Sequence, residues 1–90
     1  EKNGRKVYLT YERWRHITTE HPEVSSYLRE CEETIISPTK VKQDITDSKI
    51  VQYYKFIKQK ENATKYLLLV VKYLNGEGFI ITAYFVKYIP

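Results

Sequence analysis

The side chains of this chain that can move protons or hold phosphate are few. They are His16, His21, Arg13, a set of lysines, nine tyrosines, and Thr82 with Tyr84 in the last apolar run. A histidine titrating near neutrality serves as general acid or general base. Arg and Lys stabilise a developing phosphorane, and Tyr donates a hydrogen bond or stacks on a base. Together these groups suffice for metal-free cleavage of RNA, in which a 2′-hydroxyl attacks the adjacent phosphate. That chemistry needs a base, an acid and a cation, and no cofactor. Other chemistries find little vocabulary here: there is no phosphate-binding glycine loop, no Gly-x-Ser-x-Gly and no paired-His metal spacing.

Each candidate also has an architectural reading. His16 suits a solvated helix face, and His21 stands where a second helix would be capped. Tyrosine is common in strands, so most of the nine are expected to pack. Thr82 is an ordinary strand residue, although a hydroxyl in so apolar a run needs a partner if it is buried.

Ninety residues bound the answer to one domain spanning 1–90. Apolar content is ordinary and Gly and Pro are few, as in a folded globular chain. The longest apolar run is far short of a membrane span and no secretory pattern opens the sequence, so no membrane partner is expected. The chain contains no Met, which points to a removed start residue or, more simply, to a domain excised from a longer protein. Cys31 is the only cysteine, which excludes an internal disulfide and Cys-rich zinc sites and favours a reducing, cytoplasmic setting. Residues 1–39 carry six Lys/Arg against seven acids, whereas residues 40–90 carry nine Lys against four. The basic excess falls in the half read below as a sheet and suits a polyanionic partner. Lysines guarding strand edges against unwanted pairing account for the same excess.

The element that must organise the rest is a pair of apolar runs, YLLLVVKYL at 66–74 and FIITAYFVKYI at 79–89, joined by Asn75-Gly76-Glu77-Gly78. Asn-Gly supplies the positive φ values of a tight hairpin turn, so the pair reads as a long β-hairpin at the centre of an antiparallel sheet. Upstream, Val7-Tyr8-Leu9 is a short lead-in that suits an edge strand. Thr10 reads as a helix N-cap with Glu12 in the first turn, and Leu9 with Trp14 as a hydrophobic staple. Arg13, His16 and Glu20 follow at i+3 and i+4 and share one flank of that helix. Pro22 stops the helix near His21 and suits the first position of a second one. Val24, Leu28, Cys31 and Ile35 then form an amphipathic stripe that Ser37-Pro38 ends. Val41 marks a modest strand, 44–48 a turn, and 59–64 a polar loop. In 50–58, alternation places Val51, Tyr53, Lys55 and Ile57 on one face and Ile50, Gln52, Tyr54 and Phe56 on the other. The class is therefore α+β: two N-terminal helices packed on one face of a roughly four-stranded antiparallel meander sheet.

Several stretches carry a resemblance. YLTYERWRHITTEHPE at 8–23, LRECEETIISP, VQYYKF, LLLVVK and ITAYF, in this order, resemble small nucleases of the barnase–EndoU–colicin–RelE-like superfamily, nearest its phage-associated and toxin-type branches. The resemblance implies a RelE/barnase-like fold and a metal-independent endoribonuclease, often the toxin of a toxin–antitoxin pair. Its partners would be RNA, tRNA or mRNA among the classes, and an acidic antitoxin or immunity protein. Carried over residue by residue, it implies catalytic roles for His16 and His21, for Tyr54 on the tyrosine-bearing strand, and for Thr82 and Tyr84. Arg13, Tyr53, Lys55 and Lys87 become the substrate-binding candidates. Neighbours on a strand point to opposite faces, so either Tyr53 or Tyr54 faces the cleft. Two other classes fit the same residues: an RNA- or ribosome-binding module that does not cleave, and an interaction domain with an acidic partner.

Overall fold

The computed structural model describes residues 4–60 and 62–90, so one position of the expected 59–64 loop, Glu61, lies outside the described residues. The elements run β1 (Val7–Tyr8), α1 (Tyr11–Glu20), a 3-10 turn (Pro22–Val24), α2 (Leu28–Ile36), β2 (Lys40–Gln43), β3 (Ile50–Phe56), β4 (Tyr66–Leu74) and β5 (Glu77–Val86). The class is α+β, with a five-stranded sheet in the order β1-β5-β4-β3-β2.

The β4–β5 hairpin is central, and its turn is tighter than the four-residue link suggests. Leu74 pairs with Glu77, and Asn75 and Gly76 adopt φ of 55° and 83°. Positive φ at both central residues is the hairpin turn whose twist matches the strands it joins. Leu67, Leu69 and Val71 of β4 are wholly buried.

The sheet departs from the expected four antiparallel strands. β2, β3, β4 and β5 do form an antiparallel ladder, but β1 pairs parallel with β5 through Val7–Gly78 and Tyr8–Phe79. Two residues carry no alternation for a sequence reading to detect. A bulge between Val70 and Val71 also leaves Ile81 without a cross-strand partner, since Val70 pairs with Thr82 and Val71 with Ile80. This extra residue sends Ile80 to the core face and Thr82 to the opposite one.

Thr10 caps α1 as its sequence predicts: its hydroxyl oxygen accepts from the Arg13 backbone N–H at 3.1 Å. The single second helix predicted from Pro22 is not continuous. A 3-10 turn ends at Val24, and α2 begins only at Leu28. The break resets the helical phase, so Leu28 of the predicted stripe is half exposed while Thr34 is buried, its hydroxyl donating to the Glu30 carbonyl at 2.7 Å. Ile17, Val24, Cys31 and Ile35 from the helical segments share one core cluster with Tyr53, Leu67, Leu69, Val71, Ala83 and Phe85 from the sheet. Among the described residues no helix is long and apolar enough to cross a membrane.

Candidate functional site

The strand registers set out two rows of side chains on the sheet face opposite that core cluster. Lys40, Tyr54, Leu68 and Tyr84 pair in succession across β2, β3, β4 and β5. Lys42, Gln52, Val70 and Thr82 form the next row. Adjacent strands lie about 4.8 Å apart, so Tyr54 and Tyr84 stand about 10 Å apart at the backbone with Leu68 between them. Their side chains border an open hollow of about 610 Å³, lined also by Gln52, Lys87, Tyr88 and Pro90. Lys42 Nζ donates to the Pro90 carbonyl and so ties the far end of the segment 87–90 to β2.

Tyr54 is 2% exposed and forms part of the floor. Burial pushes its pKa up, and a negative charge on Tyr84 would push it further, so Tyr54 is a neutral phenol throughout the physiological range. The hydroxyl donates to Gln52 Oε1 at 3.3 Å, and Gln52 Nε2 donates to Asp44 Oδ1 at 3.2 Å. The other Asp44 oxygen accepts from the Thr46 hydroxyl at 2.9 Å and from the backbone N–H groups of Asp47 and Thr46. Those bonds, the Thr46 hydroxyl first, hold the carboxyl below its ordinary pKa.

His21 reaches this region from the helical half. Its ring stacks on Tyr84 with centroids 5.1 Å apart and planes 24° from parallel. Nδ1 lies 3.8 Å from Glu23 Oε2, which leaves Nε2 as the nitrogen turned from that carboxylate. The backbone is pinned on both sides: the N–H donates to the Ile17 carbonyl at 2.7 Å, and the carbonyl accepts from Val24 N–H at 3.0 Å. The local sequence explains the placement. A residue before proline is driven out of the helical region, and His21 at φ −131° and ψ 74° is where the chain turns from α1.

The remaining candidates lie elsewhere. His16 is exposed and lines a separate shallow depression on α1 with Glu12, Arg15, Thr19 and Glu20. Arg13 is exposed on the same helix. Tyr53 is a core residue whose hydroxyl meets that of Tyr73 at 2.5 Å, so of the two neighbouring tyrosines Tyr54 faces the hollow. Lys55 donates to the Ser37 carbonyl at 2.7 Å and fastens β3 to the end of α2. Thr82 is half-buried in the row beside Tyr84, and Lys87 is exposed at the rim.

The structure thus brings together His21, Tyr84, Tyr54 and Lys87, with Thr82 adjacent, and leaves His16, Arg13, Tyr53 and Lys55 outside. It adds Gln52, Asp44 and Lys40, which sequence reasoning did not select. Gln52 shares the Tyr54 face in the alternation, and Lys40 flanks Val41, but nothing in a linear pattern joins either to Tyr84. Among the described residues no group of three or more His, Cys, Asp or Glu side chains could hold a metal ion. Two phenols and an ammonium line one open hollow and an imidazole stacks on one of those phenols, a set suited to proton transfer at a bound anion. No protein-family model, no curated protein and no solved structure matches the chain.

Proposed function

We propose that this protein is a ribonuclease that cleaves RNA by transesterification at the 2′-hydroxyl, with His21 as its working imidazole. The observation that carries the reading is the stack of His21 on Tyr84, a residue that lines the same hollow as Tyr54 and Lys87. His21 takes the proton of the 2′-hydroxyl as the oxygen–phosphorus bond forms. Lys87 balances charge on the phosphorane, and the Tyr84 phenol gives its proton to the departing 5′-oxygen. The products are a 2′,3′-cyclic phosphate and a free 5′-hydroxyl; His21 then releases the proton it took to solvent, and solvent returns one to Tyr84. General acid–base catalysis of this kind contributes about 10²–10⁴-fold per group. The order of the elements, helical segments followed by an antiparallel β2–β5 ladder, supports grouping the fold with the RelE- and barnase-like nucleases that its sequence resembles. An acidic antitoxin covering the hollow would neutralise Lys40 and Lys87 and block access.

The test is incubation of single-stranded RNA in EDTA with the parent protein, His21→Ala and His16→Ala, reading end groups. Cyclic phosphate made by the parent and by His16→Ala, but reduced about 100-fold or more in His21→Ala, is the expected result. Equal cleavage by parent and His21→Ala removes His21 from the mechanism. A second reading, RNA binding without cleavage, draws on Phe56 and Tyr66, whose rings lie 5.5 Å apart on the same sheet face with Phe56 substantially exposed. Such rings stack on bases without sequence preference. Salt-sensitive binding with no cyclic phosphate selects it.

A further inference from the structure

Asp44, Gln52 and Tyr54 form a chain of hydrogen bonds whose direction is dictated by its first member. The Asp44 carboxyl is held in its ionised form by the Thr46 and Asp47 donors, and a carboxylate only accepts. The Gln52 group facing it must therefore be the amide nitrogen, as the 3.2 Å contact has it. That turns the Gln52 carbonyl oxygen towards Tyr54, so the phenol proton is given to Gln52 and not to the hollow. What Tyr54 offers to the hollow is a lone pair.

We propose that Asp44 is a positioning residue which, through Gln52, makes Tyr54 a hydrogen-bond acceptor for a ribose 2′-hydroxyl, so that the hollow discriminates RNA from DNA in binding as well as in cleavage. This rests on the ribonuclease reading above and adds to it a contact to a ribose flanking the scissile phosphate, since the single proton of the attacking 2′-hydroxyl goes to His21. A phosphate oxygen has no proton to give and gains nothing from such an acceptor, whereas a 2′-hydroxyl is both donor and acceptor and is the group by which RNA differs from DNA. Deoxyribose leaves the buried Tyr54 oxygen unpaired there, a loss a polar site translates into selectivity.

Asp44→Asn is the decisive variant because it keeps shape while reversing the chain. The oxygen that accepts the two backbone N–H groups must remain an oxygen, so the new amide nitrogen takes the position facing Gln52. It donates, Gln52 turns over, its own nitrogen faces Tyr54, and the phenol proton is released into the hollow. The experiment is carried out in the His21→Ala background to suppress cleavage. It measures binding of a short single-stranded RNA and of the same sequence on 2′-deoxyribose, at one fixed salt concentration. The expected preference for RNA is about tenfold, the equivalent of one hydrogen bond. It falls to near unity in Asp44→Asn and in Tyr54→Phe, and Asp44→Asn has no further effect once Tyr54 is Phe. A merely structural Asp44 would weaken both nucleic acids alike and leave the ratio intact. An unchanged ratio in Tyr54→Phe overturns the proposal. If the parent cleaves RNA while that ratio is unaffected, only this inference falls. If the parent neither cleaves nor prefers RNA, the ribonuclease reading falls with it. Should Asp44→Asn lose its folded circular dichroism, Gln52→Met supplies the same test by removing the middle of the chain.

Discussion

Gly78→Ala measures how closely the start of β5 is packed. Gly78 is buried, pairs with Tyr73 of β4, and donates its N–H to the Lys6 carbonyl at 2.8 Å, which is part of the β1 ladder. A Cβ at this position would lie 2.7 Å from Tyr73 Cε1 and 2.9 Å from Val71 Cγ1. Carbon atoms in contact prefer about 3.5–4.0 Å, so the methyl intrudes by almost an ångström on two sides. Neither neighbour yields freely. Val71 is fully buried, and the Tyr73 ring is held by the Tyr53 hydroxyl at 2.5 Å and by the Arg5 guanidinium 4.0 Å from its centroid. Overpacking of this kind costs about 1–3 kcal/mol. The reduced freedom of an unfolded alanine returns about 0.4–1 kcal/mol. The net is a destabilisation of about 0.5–2 kcal/mol. Urea unfolding followed by tryptophan fluorescence reads it directly: with m of about 1–3 kcal/mol/M, the midpoint drops by about 0.2–2 M. In a Tyr73→Leu background the cost shrinks, because the ring atoms at 2.7 and 3.1 Å are gone. A Gly78→Ala midpoint equal to or above that of the parent refutes the close-packing argument.

Three further outcomes follow from single contacts. Thr10→Ala removes the cap on α1 and lowers stability by about 0.5–2 kcal/mol, whereas Thr10→Ser keeps most of it; thermal melts of the two variants check this. Burial pushes the Cys31 thiol from 9.0 up to about 12. The unfolded chain then releases a proton that the folded one keeps, so stability is fully present below pH 9 and declines as pH rises through about 12. The slope from this group is at most about 1.4 kcal/mol per pH unit. Urea midpoints between pH 8 and 11 should fall less steeply for Cys31→Ala than for the parent, and identical slopes would contradict the assignment. Lys87→Ala should weaken RNA binding and reduce the salt dependence of log K by roughly one counterion. An unaltered salt slope places the phosphate elsewhere.

Much of the fold is legible along the chain because it depends on neighbours in sequence. The Asn75-Gly76 turn requires positive φ and so brings the apolar runs on either side of it against each other. Thr10 and Pro22 act within one helical turn of themselves, so the bounds of α1 follow from them. The alternation in β3 assigns each face correctly from Ile50 to Ile57 because a strand has period two whatever it packs against. The same locality misleads where two distant pieces meet. Leu28 belongs to an unbroken stripe on paper, but the change of axis after Val24 turns it outwards. β1 is too short to show a pattern, and its parallel partner is seventy residues away.

The candidate site divides along the same line. Residue type and the His21-Pro22 step single out an imidazole at a turn, and chemistry alone nominates tyrosines and lysines as its companions. Which of them it meets is a question of register. Tyr54 rather than Tyr53 faces the hollow, Lys55 is spent on Ser37, and His16 is carried to the outer surface of α1 by the same helical twist that buries Ile17. Cross-strand pairing aligns Lys40, Tyr54, Leu68 and Tyr84 in one row, and one extra residue at the β5 bulge decides that Thr82 joins the adjacent row. Local rules of backbone and periodicity are written residue by residue and can be read from the chain. Proximity between strands depends on pairings closed across long loops, and only the folded sheet settles those.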